Sequence, residues 1–493
     1  MPSAPPITAR LHLADHGLIG DGRDWALVGR DGRITRMAVS DADGSSLFDE
    51  HQSFTVTVDG LQTSRQYYVP NTNVLVTEMR NQAGVVEVTD AFTLCTSADL
   101  SEDVPAVRSE LLRYVRVLEG HALLRVSVEP DGVFRTERHG GGLRFHRYAS
   151  GNDLRLITSR PLDHPSATVS VEAGEDLWFL LRWHHSPRIH RLYPRHLLDE
   201  TADAWRRWTG AITYDGPYQH LVRRSALTLK LLGHTDSPLA ASALRDLGLF
   251  TESDHVLGRA LDTLEVGEPR GRYGYFLDCA YQWALNRGPI DDVLWNRLAA
   301  LANAAAQGPQ PTITYTTAMY QVALDRAARL SDHLGIAGHR DWHAKADDLR
   351  DRILREAWDE SRQSLTARLS PGADLDPRLL ALPSLGVVPV DHPRMAATAN
   401  AIAKELSAAP GLVFEPSRQA HGATLTYGFQ LAENLAGQGQ LDQANQLFEE
   451  LTAKANPLGL FGERVEVSNG EFRGSFPNPA THAAVVACAS ALA

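Results

Sequence analysis

The chain has 493 residues, 43% of them hydrophobic and 22% charged, which is ordinary for a globular protein and more than one core usually holds, so two domains are expected. A formal charge of −12 argues against nucleic acid or an anionic membrane as partner. Cys95, Cys279 and Cys488 are odd in number and far apart, which excludes a disulfide framework and a metal spacing and predicts buried free thiols.

The first residues, MPSAPPITARLHLADHGLIGDGRDW, have no basic stretch followed by an apolar one, and no apolar run reaches the length of a membrane span. A cytoplasmic location is the expectation. From about Gly17 to Trp183 the chain reads as short alternating strands separated by Gly, Asp and Asn. Trp25–Arg30, Ser53–Val58, Val74–Arg80, Val85–Thr89, Glu110–Leu118, Leu123–Glu129, Leu154–Ser159 and Leu177–Trp183 are the clearest, and many short strands with turn signals predict a β-sandwich. His184 and His185 lie at a strand end with no carboxylate or cysteine at ligand spacing, so no metal site is expected there.

The character changes across Asp199–Leu232. An aromatic and basic helix (Trp205, Arg206, Arg207, Trp208) breaks at Tyr214-Asp215-Gly216-Pro217 and restarts with Leu221, Ala226, Leu229 and Leu232 near one face. Helical spacing then continues in Leu239–Gly248, Ser253–Leu264, Gly274–Asn286, Asp291–Ala306, Thr316–Leu334, His339–Trp358, Pro377–Leu382, His392–Leu406, Ala423–Gly437, Leu441–Ala455 and Pro479–Leu492. With the 218–232 helix these make about a dozen, the number six helical hairpins require. Trp295 and Trp342 are expected in hairpin cores.

The run from Trp205 to Leu232 resembles glycoside hydrolase family 15, the glucoamylases, glucodextranases and bacterial trehalase-like enzymes, in a W-R-x-W … Y-x-G-P-Y … V-R-R-S-A-L-T-L-K-L-L pattern. HGLIGDGRDWALVGRDGRI and RQYYVPNTNVLVTEMRNQAGVVEVTDAF look like the family's opening motifs, with Gly22 where many members have Cys. The resemblance implies an N-terminal antiparallel β-sandwich (1–190), a linker helix (191–217) and a C-terminal all-α (α/α)6 barrel (218–493) holding the site.

An inverting glycosidase of this family needs an acid and a base carboxylate, roughly 6.5–9.5 Å apart. ANPLGLFGERVEVSNGEFRGSFPNP, 455–479, resembles the family's late loop and carries Glu463 onto the base; a lone glutamate is ordinarily a surface residue, here a partner of Arg464, and it is the motif around Glu463 that points to a pocket position. The acid is missing: the family's G-I-W-E loop is replaced by AAAQGPQP, 304–311, before the helix TITYTTAMYQVALDRAARL, where Tyr315 and Thr317 replace His and Lys. The sugar-clamping segment expected after Leu232 is also shortened, and Arg245-Asp246, which looks like the clamp pair, is expected instead in an outer-face ion pair.

GRYGYFLDCAYQWAL keeps Tyr273, Gly274, Leu277 and Asp278 of a further motif, and SRQAHGATLTYGFQLAENLA puts His421 near an acidic position and Tyr427 among its aromatics. The losses point to a rebuilt site. Its expected chemistry is non-hydrolytic acid–base work (cyclisation, isomerisation or elimination) on a small biosynthetic intermediate. Glu463 and His421 are the catalytic candidates, and Tyr273, Asp278, Tyr315 and Tyr427 would bind substrate. The alternatives are an inverting α-glucosidase of glucoamylase or trehalase type, with its acid from a position such as Glu415 or Glu252, and a binding scaffold without catalysis. No cofactor, metal, nucleic acid or membrane partner is expected, and self-association into a homo-oligomer stays open.

Overall fold

The computed structural model describes residues 11–39, 46–49, 52–101, 107–132, 134–147, 153–183, 193–232, 238–264, 270–336, 340–370, 372–415 and 422–493. They divide into two compact units. The first comprises Met1–Ile212, Leu227–Gly233 and Asn456–Leu460, and the second comprises Thr213–Ala226, His234–Ala455 and Phe461–Ala493.

Fourteen strands build the first unit: β1 (His16–Gly20), β2 (Trp25–Gly29), β3 (Arg33–Ala38), β4 (Ser46–Phe48), β5 (Phe54–Val58), β6 (Thr63–Tyr68), β7 (Leu75–Arg80), β8 (Gly84–Leu94), β9 (Val107–Val128), β10 (Phe134–His139), β11 (Gly142–Arg147), β12 (Leu154–Thr158), β13 (Ser166–Glu172) and β14 (Asp176–Trp183). All the pairings are antiparallel. Strand β9 belongs to both layers: Glu110–Gly120 pairs β14 and β8, and His121–Val128 pairs β13 and β5. The sequence splits this strand at Glu119-Gly120, which reads as a turn. In the structure Gly120 takes φ +67° and bends the strand without reversing it, where an added Cβ would lie 2.0 Å from the Ala83 carbonyl oxygen.

The edge strand β6 (TSRQYY) lacks the alternating apolar face that periodicity detects, whereas β13, absent from the expected strands, does turn Ala167, Val169 and Val171 to the core. Between the layers lie Phe48, Phe54, Phe92, Phe145, Phe179 and Trp183. Burying one such ring stabilises the fold by roughly 1.5–3 kcal/mol. Helix α1 (Pro194–Gly210) starts with proline in its first turn and lays Leu197 and Leu198 against Leu112 and Leu180 of this unit. His184 and His185 lie outside the described residues.

The helices that follow are α2 (Gln219–Leu231), α3 (Pro238–Asp246), α4 (Phe250–Asp262), α5 (Tyr273–Leu285), α6 (Asp292–Gln307), α7 (Thr314–His333), α8 (Arg340–Glu356), α9 (Pro393–Glu405), α10 (Leu425–Gly437), α11 (Leu441–Thr452) and α12 (Pro479–Ala491). Between α8 and α9 stands a five-residue 3-10 turn, Pro377–Ala381, where helical spacing alone predicts a helix to Leu382. Asp376 caps it and Pro377 fixes its start, but it stops after five residues. Helix α3 touches α5, α5 touches α7, α7 the 3-10 turn, that turn α10, α10 α12, and α12 returns to α3. These six elements close an inner ring, and α4, α6, α8, α9 and α11 pack outside it; with α2, which directly precedes α3, each inner element follows a helix of its own and the pairs number six.

The second unit is therefore a six-hairpin (α/α)6 barrel, and the first an antiparallel β-sandwich. Helices α5 and α7 approach closely because Gly274 lies against the Met319 carbonyl, where a Cβ would stand at 2.4 Å. Trp295 and Trp342 are buried together with ring centroids 6.1 Å apart. Among the described residues no helix is long and apolar enough to cross a membrane, and no group of three or more His, Cys, Asp or Glu side chains is arranged to hold a metal ion.

Candidate functional site

Because inner and outer elements alternate along the chain, the inner ones run in the same direction and their N-terminal ends gather at one end of the ring. Tyr273 opens α5, Tyr315 stands second in α7, Asp376 caps the 3-10 turn, Tyr427 lies in the first turn of α10, and Asn478 caps α12.

Glu463 belongs to this end. Strands β17 (Ala423–Thr424), β18 (Arg464–Val465) and β19 (Phe472–Arg473) form a small antiparallel sheet whose register pairs Thr424 with Arg464. The Glu463 carbonyl accepts the Leu425 N–H at 3.1 Å, and its own N–H donates to the Ser475 carbonyl at 3.0 Å. Its backbone is thus held between the starts of α10 and α12.

The Glu463 carboxylate is half-buried, with a third of the side chain exposed. Ser475 donates its backbone N–H (3.1 Å) and its hydroxyl (3.3 Å) to Oε2, and the Arg464 guanidinium stands 3.6 Å from Oε1. Gly474 has φ +81°, and an added Cβ there would come within 2.4 Å of Oε2. Asn478 donates to Ser475 Oγ at 2.7 Å and caps Thr481 N–H at 2.8 Å, so the helix cap also orders the serine that holds the glutamate. Glu463 is therefore more than the surface partner of Arg464.

A second cluster stands at the same end. The buried Asp376 carboxylate takes the Arg378 guanidinium in a fork, Nε to Oδ1 at 2.9 Å and Nη2 to Oδ2 at 2.7 Å. That guanidinium lies 5.2 Å from the centroid of the Tyr315 ring. The hydrogen bond to Asp376 is the main cause holding Arg378 above its ordinary range, with Tyr427 and Glu415 adding to it. Burial, then the negative charges of Glu415 and Asp376, push the Tyr427 hydroxyl up to about 12. Burial also raises Tyr315. Both phenols therefore stay protonated donors at neutral pH. Glu415 lies two residues after Val413, which bridges antiparallel to Thr424, and its charge reaches Tyr427.

The other sequence candidates are distributed differently. Tyr273 stacks on Tyr320 with centroids 5.6 Å apart and is buried. Asp278 stands more than a turn further along α5, where its carboxylate accepts Arg326 Nε at 2.7 Å and Gln282 Nε2 at 2.7 Å. His421 lies outside the described residues. Glu252 is buried in the first turn of α4, an outer helix that starts at the opposite end of the ring. Arg245 donates to the Gln282 carbonyl at 3.3 Å rather than closing an ion pair with Asp246.

The short loop before α7 pairs instead with residues 367–369. Ile313 bridges to Arg368, Thr314 N–H donates to the Ala367 carbonyl, and Leu369 N–H to that of Thr312. No carboxylate side chain occurs in 304–311. The Asp376–Arg378 fork is absent from the sequence expectations; the signal available for it was an Asp cap followed by Pro and then Arg.

Comparison with known proteins agrees with this architecture. A model of glycosyl hydrolases family 15 matches residues 305–415. The chain is 22% identical to a trehalase of Thermoplasma volcanium over 97% of its own length and 93% of the relative's. It is 25% identical to a trehalase of Mycobacterium tuberculosis over 96% and 88% respectively. The first alignment spans 592 positions against a chain of 493, so the relative carries segments with no counterpart here. A kojibiose phosphorylase-like protein from the human microbiome shares the fold at a TM-score of 0.51 and 9% identity, covering 97% of this chain and 86% of that one.

Proposed function

Taking as premise that the chain is a distant homologue of glycoside hydrolase family 15, we propose that it is an α-glucoside hydrolase of trehalase type. The observation that carries this reading is the tethering of the Glu463 carboxylate by Ser475 and Arg464 at the end of the ring where the inner helices start. An inverting hydrolysis needs one carboxylate to activate water and a second to protonate the leaving oxygen. Glu463 is assigned the first task. For the second, Glu415 is the carboxylate that shares this end with Tyr427 and Arg378, whereas Glu252 starts at the far one.

Tyr315 and Tyr427 would line the substrate as protonated hydroxyls, with Tyr273, stacked on Tyr320, at the start of α5. Asp278, satisfied by Arg326 and Gln282, is assigned to the scaffold. The expectation of cyclisation, isomerisation or elimination is not carried forward, because the near-full-length relatives are trehalases. A second reading, a protein that binds sugar without cleaving it, is favoured by one observation: the segment before α7 has no carboxylate.

Glucose release from trehalose, maltose and isomaltose separates the two. Hydrolysis predicts turnover of trehalose that falls by roughly 10²–10⁴-fold in Glu463→Gln with binding nearly intact. Binding of trehalose without glucose release from any of the three sugars would establish the second reading instead.

A further inference from the structure

Arg378 lies outside the carboxylate chemistry and is built more firmly than a surface arginine. Its partner Asp376 is buried and also accepts the Arg378 backbone N–H at 3.0 Å, which fixes the turn from which the side chain leaves. The fork to Asp376 uses Nε and Nη2, and the guanidinium carbon lies 5.2 Å from the centroid of the Tyr315 ring. Among the described residues Nη1 has no hydrogen-bond partner, and 44% of the side chain is exposed. A guanidinium immobilised on two sides with a free edge has already lost the side-chain freedom that binding a ligand would otherwise cost.

We propose that Arg378 is a substrate-positioning residue, offering its free Nη1 edge to adjacent hydroxyl oxygens of a glucosyl unit. The inference rests on reading the site as one for α-glucosides. Charge balance selects a neutral polyol over an anionic ligand, since the Asp376 carboxylate already offsets the arginine's charge. Guanidinium N–H groups donate only, so they suit the lone pairs of sugar hydroxyls, while the protonated Tyr427 can donate to a neighbouring one.

The test is titration calorimetry with trehalose and with glucose, alongside steady-state kinetics, on the full chain and on Arg378→Ala and Arg378→Lys. Losing hydrogen bonds from a charged donor predicts KM and Kd raised roughly 10–100-fold in Arg378→Ala, with kcat changed by less than about threefold. Lys keeps a charge opposite Asp376 and protects folding, which thermal melting checks, but it lacks the planar fork and should restore little of the affinity.

Hydrolysis with unchanged KM in both variants overturns this inference and leaves the hydrolase reading standing. Trehalose bound by the parent and weakly by the variants, with no glucose released, supports the inference and overturns the hydrolase reading. A parent that binds neither sugar overturns both.

Discussion

His482 Nε2 accepts the backbone N–H of Phe461 at 3.3 Å, two residues before Glu463. The ring is fully buried, and Nδ1, which must then carry the proton, donates to Ser225 Oγ at 3.0 Å. Thr481 beside it donates to the Gly462 carbonyl at 3.2 Å. The first turn of α12 therefore sets the path of the chain into Glu463. Burial, with the positive charge of Arg224 added, pushes this histidine down to about 3.

That shift has a defined sign. Above about pH 6.5 both folded and unfolded chains hold a neutral imidazole, and the histidine adds no pH dependence. Between there and about pH 3 only the unfolded chain takes the proton, so stability falls as pH falls, by up to roughly 5 kcal/mol. His482→Gln keeps an acceptor for Phe461 and does not titrate. Urea unfolding at pH 7 and pH 4 should show a smaller loss in the variant, and equal losses would refute the assignment.

Gly474→Ala tests the carboxylate directly. The new methyl would meet Glu463 Oε2 at 2.4 Å on a backbone at φ +81°. Strain of this kind costs about 1–3 kcal/mol, and moving the base should lower trehalose turnover by roughly tenfold or more. Activity equal to the parent would separate Glu463 from the chemistry.

The fold was legible in the sequence because its signals are periodic. Most of the helices from α2 to α11 repeat apolar positions over about two to five turns, and the central strands alternate. Edge strands such as β6 gave no such pattern, and the Glu119-Gly120 pair imitated a hairpin turn. The site was legible where a motif carried it, as with Glu463, and illegible where it depends on packing. Asp376 and Arg378 are two residues apart and look like an ordinary helix start; only the fold sets the arginine against the Tyr315 ring and within electrostatic reach of Tyr427 and Glu415. Asp278, conspicuous in its motif, is consumed by Arg326, which lies 48 positions away.

In the sandwich, Arg113 links both layers. It donates Nε to Asp90 Oδ1 at 2.8 Å, Nη1 to the Phe54 carbonyl at 2.7 Å and Nη2 to that of Gly32 at 2.8 Å, with both charged side chains fully buried. Asp90→Ala leaves the guanidinium buried without its counter-charge and should destabilise by about 3–5 kcal/mol. The double change Asp90→Leu with Arg113→Met, which removes both charges, should cost less. Chemical denaturation of the single and double variants decides it, and a double variant less stable than Asp90→Ala would contradict the account.

Glu433 on α10 gives the opposite pH signature. Burial, and then the negative charge of Asp246, push its carboxyl up to about 7 from an ordinary 4.5. Its own charge in turn adds to the burial that raises the Cys488 thiol. Below about pH 4.5 both folded and unfolded chains hold the neutral acid. Between 4.5 and about 7 the unfolded chain ionises first, so stability is lost as pH rises through this window. The side chain is only partly shielded from solvent, which reduces the loss to about 1–3 kcal/mol. Glu433→Gln keeps the shape and removes the titration. Urea unfolding should find the variant and parent alike at pH 5 relative to a gap of that size at pH 8, with the variant the more stable. A gap that does not change between the two pH values would mean that Glu433 ionises at its ordinary pKa.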